Sequence, residues 1–338
     1  MRLKKLSDQV IVITGASSGI GRATARMAAQ RGARVVLTSR SAEALAAAAA
    51  EIQQANGTAS WVAADVTVPR ELEAVAAAAE REHGRIDTWV NNAGISAYGA
   101  IEQLGLDDMR RVMDVTFWGV VNGTRAALPL LRKNGGALLN IGSEVSSTPV
   151  PLQGPYVAAK HAVLGFTEVL RLELEKDGAP VSVTLIQPGS IDTPFFRHSK
   201  SVTGREPAPP PPVYAPEMVA EAILRCAEHP QRNVIVGGGA RAMIGLRRAA
   251  PRLTDWLFER TLFSSQQGDR LARAYEGSLY EPSGPSSVHG GFGGRRLSLY
   301  TSAALNPWMS TLAVLAVGAG ALAAARAWRN NGARALRW

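Results

Sequence analysis

Tyr156 and Lys160 stand four residues apart in the run PYVAAKHAVLGFTEVLRLELE, whose apolar residues recur at helical spacing. On a helix, positions i and i+4 lie one above the other, so the phenol and the ammonium can face one space and serve together as a proton donor. A packed ring beside a solvated amine has the same spacing, and five residues alone do not separate the two. A second chemical signal stands near the N-terminus, where TGASSGIGRATA carries Gly15, Gly19 and Gly21 in the order GxxxGxG after an apolar run. Gly15 can turn sharply out of a strand. Gly19 and Gly21 let the next helix bring its free N–H groups close to a pyrophosphate. His83, His161 and His198 have no partners at metal-ligand spacing, so no metal site is expected.

The elements that must position these residues alternate along the chain. VIVITG, RVVLTSR, ASWVAADV, IDTWVNNAG, GALLNIGS, VSVTLIQPG and NVIVGG are short apolar runs, each separated from the next by a helical pattern. Continuous apolar strands divided by helices imply a parallel sheet covered on both faces. The expected fold is therefore α/β, a doubly wound, Rossmann-like parallel sheet of about seven strands within residues 1–240. Between Thr193 and Pro216 the periodicity dissolves into TPFFRHSKSVTGREPAPPPPVYAP, which lies after the sixth strand and is placed to cover a substrate. Residues 241–296 read as a basic helical extension ending in a Gly/Ser/Pro-rich linker, and 297–338 as a C-terminal helix with a basic tail.

With 46% hydrophobic and 19% charged residues in 338, the chain is not a disordered one. Its single cysteine, Cys226, permits no internal disulfide, and MRLKKLSDQVIVITG lacks the features of a signal peptide; a cytoplasmic catalytic domain is expected. The formal charge of +9 is concentrated beyond residue 240, where thirteen Arg face five acids. That excess belongs to a tail with a long uncharged run and comes without zinc-ligand or aromatic RNA-binding patterns. It points to an acidic membrane surface rather than to nucleic acid. The run Pro307–Ala325 would span about 28 Å as a helix, with Trp308 and Trp328 at its ends. It is mostly Ala and Gly, so a helix buried in a subunit contact or lying in the interface plane remains an alternative. A single span would also send Arg326, Arg329, Arg334 and Arg337 outward, against the positive-inside tendency.

TGASSGIG, ADVT at 64–67, NNAG at 91–94, IGS at 141–143, YVAAK and QPGSIDTP at 187–194 occur in an order and spacing that resemble the short-chain dehydrogenase/reductase family over about residues 5–240. The resemblance implies a catalytic group of Ser143, Tyr156 and Lys160. It implies a nicotinamide coenzyme held by Gly15, Ser17, Ser18, Gly19, Ile20, Gly21 and Arg22 at the turn, by Asp65 and Val66 at the adenine, and by Asn92, Ala93 and Gly94. Tyr156 and Lys160 would also touch it, with Pro188, Gly189 and Thr193 flanking the nicotinamide. The family's usual Asn in the fourth helix is replaced by Thr116, which puts in doubt the side-chain half of a water relay to Lys160; a Thr hydroxyl could bond back to Val112 and bend the helix. Asn122, about two turns on, is a poor substitute.

The implied chemistry needs these residue types. A carbonyl that receives hydride develops negative charge on oxygen, and a proton must arrive there. A phenol with a pKa of about 10 would need Lys160 to favour its ionised form. Ser143 would hold the reacting oxygen. At the end of the second strand, where an NAD enzyme usually offers an acid, this sequence has Ser39 and Arg40 with Arg22 near, which suits a 2′-phosphate and predicts NADP(H). The expected activity is interconversion of a ketone or aldehyde and its alcohol, on a lipophilic substrate, by a homo-oligomer. An acyl-chain ketoreductase and a non-catalytic coenzyme-binding scaffold or redox sensor are the alternatives.

Overall fold

The computed structural model describes residues 2–271, 277–284 and 286–306. Seven parallel strands form one sheet: β1 (Val10–Thr14), β2 (Arg34–Ser39), β3 (Thr58–Ala63), β4 (Thr88–Asn91), β5 (Gly136–Ile141), β6 (Val181–Pro188) and β7 (Asn233–Val236). Their order across the sheet is β7-β6-β5-β4-β1-β2-β3. The chain starts in the middle, winds to one edge and returns to wind to the other. This is the doubly wound fold that the alternating pattern implies. β1, β4, β5 and β6 are buried along their whole length, whereas in the edge strand β3 only Ala59 is buried. That difference is why the central strands read as unbroken apolar runs.

The helices α1 (Gly19–Gln30), α2 (Ala42–Gln54), α3 (Pro69–His83), α4 (Leu106–Met113), α5 (Gly119–Asn134), α6 (Gly154–Lys176) and α7 (Pro216–Glu228) cover the two faces. Between α4 and α5 the helix continues through a π turn at Asp114–Trp118, where Gly119 N–H bonds to the Asp114 carbonyl. Such turns widen a helix by one residue and often mark functional positions. After β6 the chain forms one helical turn at Phe195–His198 and then two short strands. Lys200–Ser201 pairs with Ala97–Tyr98, and Arg205–Pro207 pairs antiparallel with Gln267–Leu271. The segment expected to cover a substrate is thus built into small sheets beside the main one.

Two further helices, α8 (Gly238–Ala249) and α9 (Pro251–Ser265), follow β7. The compact unit that holds the sheet does not end near residue 240 but extends through Arg296. The stretch read as a linker is packed onto that unit, with Leu279 fully buried in the main apolar cluster. A second unit begins at Leu297, and its described part contains a helix at Leu299–Leu305. Among the described residues no helix is long and apolar enough to cross a membrane; the apolar run 307–325 lies outside them.

Candidate active site

The carboxyl ends of the strands open into a cleft of about 540 Å³, and most of the sequence-expected site residues line it. One end is formed by the turn between β1 and α1. Gly15 and Gly19 have φ of 66° and 53°, conformations that favour glycine, and a Cβ on Gly21 would lie 2.4 Å from the Gly15 carbonyl oxygen. The β4 end fastens this turn. Thr14 Oγ1 accepts from the N–H groups of Asn92 and Ala93 at 2.9 and 3.1 Å, and Asn92 Nδ2 donates to the Thr14 carbonyl at 2.9 Å. Ser17, Ser18, Gly19 and Ile20 then face the cleft at the start of α1, leaving a backbone-lined space against which a pyrophosphate would fit.

Beyond the turn, Arg40, Asp65 and Val66 form the wall at the ends of β2 and β3. The Asp65 carboxylate accepts from Thr67 N–H at 2.9 Å, from the Thr67 hydroxyl at 2.8 Å and from Arg111 Nη2 at 2.8 Å. Burial pushes its pKa up, but the Arg111 and Thr67 bonds outweigh that and hold it below the ordinary carboxylate value. Arg111, on α4, has no signal in the local sequence, because the contact joins residues 46 positions apart. Val66 is fixed through its carbonyl, which accepts from Asn122 Nδ2 at 2.9 Å. Asn122, set aside as a relay residue, thus supports the wall instead. Arg22 does not line the cleft; its guanidinium pairs with Glu51 at 2.8 Å.

At the other end stand Ser143, Tyr156 and Lys160. Ser143 caps the 3-10 turn Glu144–Ser146, its Oγ accepting from Val145 N–H at 3.3 Å while Ser146 Oγ accepts from Ser143 N–H at 3.1 Å. Tyr156 lies in the first turn of α6, which opens with Gly154 and Pro155, and it lines the same part of the cleft as Ser143. Lys160, one turn on, is 3% exposed and donates to the Ile141 carbonyl at 2.6 Å, with its Nζ 5.6 Å from the Tyr156 ring centre. The i and i+4 side chains therefore share the buried face.

Their ionisation differs from the sequence expectation. Burial raises the Tyr156 pKa well above that of an ordinary phenol, the nearby Ser143 hydroxyl opposes the rise, and the Glu144 charge adds to it. Burial also lowers Lys160 to about 7. In the free chain desolvation is the largest influence on both groups, and it penalises both charged forms. The phenol is accordingly held protonated. Glu144, adjacent to Ser143 in the cleft wall, has its carboxyl raised to about 7 by burial. Its position next to Ser143 was the only sequence signal for it.

Thr116 lies in the π turn and is fully buried. Its hydroxyl donates to the Ile95 carbonyl at 3.1 Å and accepts from Ile95 N–H at 3.2 Å, rather than bonding back to Val112. The space above Gly94 lies between Thr116 and Lys160, a Cβ there being 3.8 Å from both Oγ1 and Nζ. Ala93, Gly94, Pro188, Gly189 and Thr193 complete the wall, and Thr193 sits 3.2 Å from the Cβ position of Gly19. Phe195 packs 5.3 Å from the Tyr156 ring and 5.6 Å from Phe196, which in turn packs 5.8 Å from Phe292. The last of these belongs to the stretch read as a linker and does not line the cleft, whereas Ser278, Ser283, Gly284 and Ser286 do. Among the described residues no group of three His, Cys, Asp or Glu side chains could hold a metal ion. Cys226 is buried away from the cleft, its thiol pushed up to about 12.

Comparison with known proteins gives this geometry a family. The sequence profile of the short chain dehydrogenases matches residues 9–203. The uncharacterized oxidoreductase YxnA of Bacillus subtilis is 45% identical over 329 residues, covering 96% of this chain and 92% of YxnA. A short chain dehydrogenase/reductase from Burkholderia phymatum, solved in complex with NAD, superposes with a TM-score of 0.67 at 25% identity, covering 80% of this chain and all of that one. An alcohol dehydrogenase from the archaeon Thermococcus sibiricus, complexed with 5-hydroxy-NADP, superposes at 0.59 with 28% identity over 68% of this chain and 95% of its own. With the profile, the relative and the fold in agreement, the chain belongs to the short-chain dehydrogenase/reductase family and is an oxidoreductase of that type.

Proposed function

We propose that the protein is an NADP(H)-dependent reductase or dehydrogenase that interconverts a lipophilic ketone or aldehyde and its alcohol. The observation that carries this reading is that Tyr156 and Ser143 line one cleft together with Lys160 and the Gly-rich turn. The donor set fits a nicotinamide coenzyme: N–H groups and glycine surface at the turn, a fixed carboxylate at Asp65, and Arg40 where an acid would otherwise receive a ribose hydroxyl. The bound coenzyme would supply or accept the hydride.

The chain's own residues do the rest. Ser143 Oγ and the Tyr156 hydroxyl together present two polar atoms to one substrate oxygen, orienting it and stabilising negative charge as it develops. The phenol, held protonated by burial, donates its proton to that oxygen in reduction. Lys160 sits one helical turn behind and would stabilise the phenolate left by that transfer. Phe195 and Phe196 make the adjoining wall apolar, with Phe292 packed against Phe196, which favours a lipophilic group on the carbonyl. Thr116 holds the backbone at Ile95 with both halves of its hydroxyl, so the substitution preserves order at the base of the site and favours an enzyme over a scaffold. We place the catalytic unit in the cytoplasm as a homo-oligomer, with membrane contact through the chain beyond residue 306. The direct test is equilibrium binding of NADPH and NADH, followed by coenzyme consumption with a panel of ketones and aldehydes. Tighter NADPH binding with turnover of an apolar ketone is expected; equal affinities would refute the coenzyme assignment.

A further inference from the structure

The stretch that resembles a linker in composition crosses the candidate coenzyme cleft. At one end Leu279 is buried in the main apolar cluster, the Tyr280 hydroxyl donates to Asp108 at 2.9 Å, and Ser278 N–H donates to the His198 carbonyl at 2.7 Å. At the other end Arg295 N–H donates to the Val213 carbonyl and the Arg295 carbonyl accepts from Ala215 N–H, each at 2.9 Å. Between these moorings the chain passes over the residues assigned above to the coenzyme. Arg40 donates to the Ser278 carbonyl at 2.5 Å and to the Tyr280 carbonyl. Arg22 donates to the Ser286 carbonyl at 2.5 Å, and Gly19 N–H, at the start of α1, donates to the Ser287 carbonyl at 3.0 Å.

The far part of this strap is latched by a buried carboxylate. Asp192 Oδ1 accepts from Gly290 N–H at 3.0 Å and Phe292 N–H at 2.8 Å, and Oδ2 accepts from Gly294 N–H at 3.3 Å. Asp192 is 4% exposed and does not line the cleft, so its carboxylate serves the strap rather than a ligand. His289 adds a contact to Glu217 at 2.9 Å. Close packing makes the seat specific: a Cβ on Gly290 would stand 2.3 Å from the Thr193 carbonyl oxygen. The strap thus runs from Arg40, beside the ends of β2 and β3, past the start of α1, to Thr193 after β6. That is the full line an extended dinucleotide would occupy along the carboxyl edge of the sheet.

We propose that this strap is a gate on the coenzyme cleft, that Asp192 is the positioning residue that latches it, and that its opening limits coenzyme entry and exit. The proposal rests on the coenzyme reading above. A dinucleotide lying between Arg40 and Thr193 cannot pass while the Ser286–Ser287 and Gly290–Gly294 contacts hold. The Asp192 bonds to Gly290, Phe292 and Gly294 must break for binding and for release alike. Loosening the latch therefore accelerates both rates, whereas removing a coenzyme ligand would weaken affinity chiefly by speeding dissociation.

The test uses the full chain and two variants that open the strap from opposite sides. Asp192→Ala removes the acceptor on the catalytic unit. Gly290→Ala introduces a methyl group that the Thr193 carbonyl does not admit. Hydrogen exchange reports whether amides 286–294 lose protection while those of β1 and β4 keep theirs. Stopped-flow fluorescence with NADPH, and separately with NADH, measures both rate constants. In each variant the association and dissociation rates are expected to rise together by about tenfold or more, on the scale of lid-limited exchange. Unchanged rates in a variant whose strap amides have lost protection would overturn the gate. So would a rise in dissociation alone, which would make the strap a simple wall of the binding site. A wild-type chain that binds neither coenzyme at equilibrium would instead overturn the coenzyme reading, and the gate with it.

Discussion

After burial and Ser143, the neighbour that tunes the Tyr156 phenol is Glu144. Its negative charge raises the Tyr156 pKa, so Glu144→Gln should let the phenol ionise at lower pH. In the alcohol-oxidising direction, where a phenolate accepts the proton, the rising limb of the pH–rate profile is expected to move toward acid. The carboxyl itself titrates at about 7. Variant and wild type should therefore differ above that pH and converge below it, where the wild-type side chain is also neutral. A shift toward base would contradict the assignment. Arg40 supports a second prediction at this scale. Arg40→Asp should weaken NADPH binding by roughly 10- to 100-fold, the loss of one charge-assisted contact to phosphate, and leave NADH little affected. Isothermal titration with both coenzymes measures the ratio, and an equal loss for the two would place Arg40 in a structural role. Tyr156, Lys160 and Ser143 are visible in the sequence because one helix turn and one strand end fix their spacing. Arg111 and the Arg22–Glu51 pair are not, because each is chosen by a tertiary contact across 46 and 29 positions.

Elements separate the legible from the illegible in the same way. The seven strands can be read because burial on both faces forces continuous apolar runs, and the helices because their apolar spacing follows one period. The π turn at Asp114–Trp118 cannot. Nothing in MDVTFWGVV breaks a helix, and the turn coincides with Thr116 reaching across to the backbone of Ile95. The strap escapes for a different reason: it is held mainly by its main-chain N–H and C=O groups, which every residue carries, so its Gly/Ser/Pro composition looks like that of a free linker. Thr116 gives the prediction at this scale. Thr116→Val removes the hydroxyl and leaves the Ile95 N–H and carbonyl unpaired in a fully buried place, at an expected cost of about 1–3 kcal/mol in denaturant unfolding. Thr116→Asn can restore both bonds, and its turnover should stay within about tenfold of wild type, or roughly 1.4 kcal/mol in the barrier. A large gain on Thr116→Asn would show that the threonine disables proton supply.

For the whole molecule, the boundary at Arg296 divides a compact catalytic unit from the chain that follows. If the apolar run 307–325 attaches the protein to a membrane, the full chain should sediment with membranes through a high-salt wash, and a chain ending at residue 296 should remain in the supernatant. Release by salt would assign the attachment to arginines alone. The catalytic claim gathers every element at one point, since β5 brings Ser143, α6 brings Tyr156 and Lys160, and the β1–α1 turn faces them along the same cleft. Its most direct test is single-turnover reduction of an apolar ketone by the NADPH-loaded protein, wild type against Tyr156→Phe. The account predicts unchanged NADPH affinity with a rate lower by about two orders of magnitude or more, the usual contribution of a positioned general acid. A Tyr156→Phe protein that reduces the ketone at the wild-type rate would contradict it.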